Sequence, residues 1–143
     1  MKLLDRLKAK KGFIKGLDHA AIIVKDMDSS IMFYSKVLEL VILHDGRNES
    51  GDKKSFLGTK DKSLIALTEN PSKQTGKDTD KAVSHIAFFV GDIEKARSNL
   101  ESKGVEFIEI KKNSKGDPVA YHFLDPDGFE LEIYNDTEKV APY

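Results

Sequence analysis

Along this chain the spacing of apolar positions switches from a period of two to a helical period, and it does so twice. Residues 17–28 read LDHAAIIVKDMD and residues 83–94 read VSHIAFFVGDIE. Each runs from a β-branched or aromatic segment into an Asp, Asp26 or Asp92, the residue type that caps the first turn of a helix. After Asp26 the apolar positions Ile31, Phe33, Tyr34, Val37 and Leu38 follow at helical spacing, and after Asp92 come Ile93, Ala96 and Leu100. The second helix is expected to stop at Lys103-Gly104, a C-terminal glycine cap. Beyond it, VEFIEIKK, PVAYHFLD and FELEIY predict three strands, the last two joined by the turn Asp125-Pro126-Asp127-Gly128. In the first half VILHD, KSFLGT and SLIALTE take the same places in the same order.

The halves align at an offset of 66 residues, with His19 on His85, Ala21 on Ala87, Val24 on Val90 and Asp26 on Asp92. Each half reads β-α-β-β-β, and neither alone has enough apolar surface to form a secure core. The fold class is therefore α+β, with two paired modules at about 16–70 and 82–136. Together they make one domain over 16–143, preceded by an N-terminal extension at 1–15, with curved sheets carrying their helices on the outer side. The polar stretch NPSKQTGKDTDK is the expected connection between modules.

Composition narrows the function. A chain of 143 residues needs no disulfide or structural metal to fold, so a metal here would be functional. The 23 basic and 24 acidic side chains are interspersed, which gives no field for steering nucleic acid or binding an anionic membrane. With no cysteine, thiolate nucleophiles, sulfur-rich zinc sites and iron–sulfur clusters are excluded. The start, MKLLDRLKAKKGFIKG, lacks an uninterrupted apolar run and reads as neither signal peptide nor membrane span. Its Leu3, Leu4 and Leu7 give an amphipathic extension with one apolar side, expected to dock on the domain or on a partner subunit. The cytoplasm is the expected location.

Strand parity picks out candidate chemistry. His19, Ala21 and Ile23 share one face, as do His85, Ala87 and Phe89, while Ile86, Phe88 and Val90 are expected under the helices. In FELEIY the core takes Leu131 and Ile133, which turns Glu130 and Glu132 to the histidine side. Two imidazoles with one or two carboxylates suit one first-row divalent ion (manganese, iron, zinc or nickel) and leave positions open for substrate. His19 and His85 with Glu130, Glu132 or both are thus the candidate metal ligands, meeting within one chain or across a dimer. His122 is the candidate catalytic acid or base, imidazole being the side chain suited to proton transfer at physiological pH. His44, Asp45 and the Lys-rich loops read as solvated surface.

The two modules, the strand-opening His19 and His85, and the run DPDGFELEIY resemble the vicinal-oxygen-chelate superfamily of glyoxalases, bleomycin-resistance proteins and extradiol dioxygenases, over about residues 16–135. The resemblance implies paired βαβββ modules lining a metal cup, Glu132 as the metal-binding carboxylate, and frequently a homodimer. It also implies a small oxygen-rich substrate chelated through two oxygens by a lyase, isomerase or ring-cleaving dioxygenase. The alternatives are a metal-free small-molecule-binding protein of the bleomycin-resistance type and an inactive module acting through dimerisation. With 8% aromatic residues and no Trp, the chain is poor in the groove such binding proteins use. Where glyoxalase I and methylmalonyl-CoA epimerase would supply a further ligand from the first module, this chain has Ala66. The remaining His, His, Glu set looks more like extradiol dioxygenases or fosfomycin-modifying enzymes. In those groups a Tyr is often found at the position of His122. A substrate-contacting Thr is expected in the fosfomycin group where Ala21 stands.

Overall fold

The computed structural model describes residues 12–14, 16–73 and 83–136. Most of the N-terminal extension, Leu3, Leu4 and Leu7 included, and most of the inter-module connection lie outside the described residues. The first module runs β1 (Ala20–Val24), α1 (Met27–Met32), β2 (Val41–His44), β3 (Lys54–Thr59) and β4 (Lys62–Glu69). The second runs β5 (Ile86–Phe89), α2 (Ile93–Ser102), β6 (Glu109–Lys112), β7 (Pro118–Leu124) and β8 (Glu130–Tyr134). Each forms a four-stranded sheet, in the orders β1-β4-β3-β2 and β5-β8-β7-β6. The first and last strands of each module pair in parallel, which needs the intervening helix as a crossover, and the other neighbours are antiparallel. Register repeats with the sequence: Ala21 lies opposite Ala66 in one sheet and Ala87 opposite Glu132 in the other.

Both expected caps are present. Asp26 accepts from the Ser29 amide at 3.2 Å and Asp92 from the Lys95 amide at 3.0 Å. Gly104, at φ +86°, closes α2, and the Val105 amide reaches back to the Leu100 carbonyl at 3.1 Å. The first helix departs from the pattern expected of it. From Phe33 to Val37 it widens into a π-helical segment that closes at Leu38, followed by Glu39 in the left-handed region at φ 60°. The widened turn carries Tyr34, fully buried, into the core.

That core joins the modules. Ile22 and Val24 of β1, Leu57 of β3, Ile65 and Leu67 of β4 and Ile31 and Tyr34 of the first helix share one cluster with Leu100, Tyr121, Phe123, Leu131 and Ile133 of the second module. These side chains come from the helix-bearing sides of both sheets. Polar contacts reinforce the same junction. The Tyr34 hydroxyl donates to Asp125 at 2.8 Å, the Lys25 amide to Asp127 at 3.2 Å, and Lys103 to the Val37 carbonyl at 2.9 Å. The faces bearing the histidines take no part in this junction. Ile23 and Phe89, on those faces, are each more than half exposed. No helix among the described residues is long and apolar enough to cross a membrane.

Candidate metal centre

The parity argument carries into the structure of the second module. His85 stands just before β5, and β7 and β8 run side by side with His122 opposite Glu132. Two residues from Glu132 along β8, Glu130 shares its face. The result is a cluster in which His85 Nε2 lies 2.8 Å from Glu132 Oε2 and His122 Nε2 lies 3.3 Å from the same oxygen. Behind each ring sits a second partner: Ser84 Oγ is 2.7 Å from His85 Nδ1, and Glu130 Oε2 is 3.1 Å from His122 Nδ1. The imidazoles meet at an angle of 63°, with centroids 5.1 Å apart.

Burial sharpens the picture. Glu132 is 4% exposed and His122 1% exposed, and the 3.3 Å approach of His122 Nε2 to Glu132 lacks hydrogen-bond geometry, which leaves that nitrogen without a hydrogen bond among the described residues. A buried nitrogen left without a partner is costly and calls for a reason. One atom each from His85, His122 and Glu130 also lie within 4.8 Å of one another. Imidazole nitrogen and carboxylate oxygen are the donors that a borderline divalent cation takes, and the orphaned Nε2 is the kind of atom such an ion would satisfy. The donor set fits the ion.

His19 lies elsewhere. It is exposed, its Nδ1 is 2.7 Å from Asp18, and its ring stands edge-on to Phe56 with centroids 5.9 Å apart. His44, expected to be solvated surface, is half exposed but rests on the other side of Phe56 and pairs with Glu49. Of the three expected ligands, then, His85 and Glu132 come together and His19 is not in their cluster. In the first module, Phe56 and Ala66 occupy the positions that His122 and Glu132 hold in the second. The first sheet offers no carboxylate where the second has its buried one.

A cavity of about 550 Å³ between the modules is lined by Leu38, Leu64, Phe88, Lys95 and Leu100. It contains none of the clustered histidine or glutamate side chains and is a separate feature.

Two contacts were not foreseen from sequence: Glu130 behind His122, and Ser84 behind His85. Alternation put Glu130 on the correct face, and a two-residue step from one carboxylate to the next was the available signal. For Ser84 the signal was only adjacency to His85.

The family model for the Glyoxalase/Bleomycin resistance protein/Dioxygenase superfamily matches residues 16–133. The chain belongs to this superfamily. Among curated relatives of this superfamily member, YwkD of Bacillus subtilis is 31% identical over 125 residues, covering 85% of this chain and 97% of that protein. The lactoylglutathione lyase of Schizosaccharomyces pombe is 30% identical over 85% of this chain, which spans 48% of the yeast enzyme. Glutathione transferase FosA of Serratia marcescens is 29% identical, with 85% of this chain and 81% of that protein covered. Among solved structures, a glyoxalase family protein from Enterococcus faecalis superposes with a TM-score of 0.71 at 26% identity, covering 87% of this chain and 100% of that one. The α+β fold of paired modules is that of the glyoxalase-fold neighbours.

Proposed function

We propose that this protein is a divalent-metal-dependent enzyme acting on a small oxygen-rich molecule, with the ion held by His85 and Glu132 and with His19 brought to it by a second copy of the chain. The observation that carries this reading is the Glu132 carboxylate, nearly fully buried yet 2.8 Å from His85 Nε2. A charged carboxylate in such a place needs a cationic or hydrogen-bonded partner. A divalent cation held by His85, Glu132 and His19 would supply Lewis-acid charge for an oxygen-rich substrate. Ser84 fixes the His85 ring from behind, and burial keeps Glu132 from rotating away.

The relatives, which include a lactoylglutathione lyase and a glutathione transferase, support metal-assisted chemistry on oxygen-bearing substrates. An isomerase that moves a proton through a first-module carboxylate is disfavoured, because Ala66 stands there. That leaves a lyase, a group transferase or a ring-cleaving dioxygenase, in which the ion's open positions take the substrate. Superfamily members often form dimers. The exposed Ile23 and Phe89 beside His19 and His85 are suited to such pairing.

Metal content tests the reading. Protein purified without chelator or affinity tag is expected to carry about one equivalent of divalent metal per chain, and Glu132→Ala to carry none while keeping its circular dichroism spectrum. Full stoichiometric metal in Glu132→Ala refutes the ligand assignment. No metal in the parent protein, even after reconstitution, turns the case to a ligand-sequestering protein of the bleomycin-resistance type.

A further inference from the structure

We infer that the cavity at the junction of the two modules is a second small-molecule site, which takes an amphiphile with an apolar body and a carboxylate head. None of the clustered histidine or glutamate side chains lines it, so the inference stands apart from the metal-dependent reading.

The first argument is the lining. Leu38, Leu40 and Leu64 of the first module and Phe88, Ala96 and Leu100 of the second surround about 550 Å³. All but Leu100 are packed against the core yet only partly buried, so they leave apolar surface in the cavity. Pockets for small molecules run from about 300 to 1,000 Å³ and combine such walls with a few placed polar groups. This cavity has the size and the walls.

The second argument is charge. Glu39, Lys95 and Asn99 are among the polar side chains of the lining. The Glu39 carboxylate is taken up, because the Asn99 amide donates to it at 3.3 Å and Lys103 Nζ lies 3.4 Å away. The Lys95 ammonium has no hydrogen bond or ion pair among the described residues. Lys95 and Asn99 are one turn apart on α2 and so share a side of it. The charge left to be met is positive, and an anionic head is its complement. A carboxylate on an apolar chain matches both parts of the lining.

The third argument is the backbone that builds the wall. Leu38 and Leu40 flank Glu39, which takes φ 60° where the π-helical turn closes, a place that helices commonly give to glycine. The Leu38 amide is fixed to the Phe33 carbonyl at 3.1 Å and the Leu40 amide to the Tyr34 carbonyl at 3.0 Å. Left-handed backbone under a side chain is strained, and both such strain and π-helical turns gather where ligands are held. Here the strained residue has its carboxylate on α2 of the other module. The widened turn that buries Tyr34 thus also sets one wall of the cavity and ties it across the junction.

Decanoate and decanol are the probes, titrated calorimetrically into the full chain, with thermal melts as a folding control. The parent is expected to bind about one equivalent of decanoate. Ala96→Leu, which puts a larger side chain into the cavity, should weaken decanoate by at least about 10-fold without lowering the melting temperature. Lys95→Gln alters an exposed side chain and should weaken decanoate about two- to fivefold while leaving decanol unchanged. Glu132→Ala should bind decanoate as the parent does, since the metal centre takes no part. Absence of saturable binding, or parent-like binding in Ala96→Leu, overturns the site. Equal effects of Lys95→Gln on both probes overturn the carboxylate head, and loss of binding in Glu132→Ala moves the ligand to the metal centre. Two other occupants would show themselves in the same assay. Decanoate that binds only after deletion of residues 2–11 would mean that the chain's own start covers the cavity. Decanoate that binds more weakly as protein concentration rises would mean that a second copy does. Either result refutes the small-molecule site and leaves the metal-dependent reading standing.

Discussion

Removing the Tyr34 hydroxyl tests how the modules are held together. Tyr34 is fully buried and Asp125 is 5% exposed, and the phenol donates to Asp125 Oδ2 at 2.8 Å across the junction between modules. The other carboxylate oxygen is already engaged, accepting from the Asp127 and Phe129 amides at 2.9 and 2.8 Å within the Asp-Pro-Asp-Gly turn. Tyr34→Phe therefore leaves Oδ2 without this donor in a place water reaches poorly. A hydrogen bond to a charged group contributes about 1.5–3 kcal/mol, so the expected loss is about 2 kcal/mol. For a domain of this size that lowers the melting temperature by roughly 6–10 °C.

The loss should depend on pH in a definite direction. Burial raises the Asp125 carboxyl above its ordinary value, against the opposing effect of its hydrogen bonds from Phe129 and Tyr34. Burial, aided by the Asp125 charge, also pushes the Tyr34 phenol far upward, so it stays a donor throughout. A carboxyl whose folded value is raised holds its proton longer in the folded state than in the unfolded chain. Its contribution is fully present below the unfolded value and is lost as pH rises through the folded one. Tyr34→Phe removes a bond that favours the charged form, so it raises the Asp125 value further. The gap between parent and variant should be small in acid, where Asp125 is protonated in both, and reach its full size near neutrality. Urea unfolding of both proteins across that range measures it. A gap below about 0.5 kcal/mol at neutrality, or one that does not shrink in acid, refutes this account of the junction.

Three further substitutions probe the frame that carries the site. A Cβ on Gly58 would lie 2.0 Å from the Lys62 carbonyl oxygen and 2.8 Å from the Leu64 nitrogen, both backbone, so Gly58→Ala should cost about 3 kcal/mol in urea unfolding. Gly91→Ala, where a Cβ meets nothing within 4 Å, should stay within about 0.5 kcal/mol. Asp92→Ala removes the cap on the Lys95 amide and should destabilise by about 1 kcal/mol; stability equal to the parent in the same assay would mean that the cap contributes nothing to α2.

Much of this architecture was legible because the chain says it twice. One strand-then-Asp-then-helix pattern is ambiguous, whereas two at a constant offset constrain each other, and the observed registers repeat at that offset. What the pattern missed has local causes. Apolar spacing does not distinguish an α-helix from one that widens after Met32, because Tyr34 is buried in either. VEFIEIKK is expected as one strand, but β6 starts only at Glu109; Val105 and Phe107 pack against the core on the way to it. Alternation assigned Glu130, Glu132 and His122 to faces. It carried no information about which ring nitrogen each carboxylate meets, since that depends on the diagonal between strands.

How the modules meet was the harder inference. Alternation within a strand separates two faces but does not say which pair of faces joins. Tyr34, Asp125 and Lys103 decide it, because a buried phenol, a turn carboxylate and an ammonium on a helix-end carbonyl all bridge from the helix side. With that junction closed, the histidine-bearing faces are left to meet something else. Duplication followed by divergence then gives the two faces different duties. The second has Glu132, His122 and Glu130, a set of donors that can grip an ion. Its counterpart has Ala66, Phe56 and an exposed His19, a face that cannot grip an ion by itself and has one imidazole to offer to another. If His19 joins the ion from a second copy, as proposed, pairing would control metal content as well as activity. The measurable consequence is a zinc affinity that strengthens with protein concentration over the range in which the chain pairs; an affinity independent of concentration would refute the shared site.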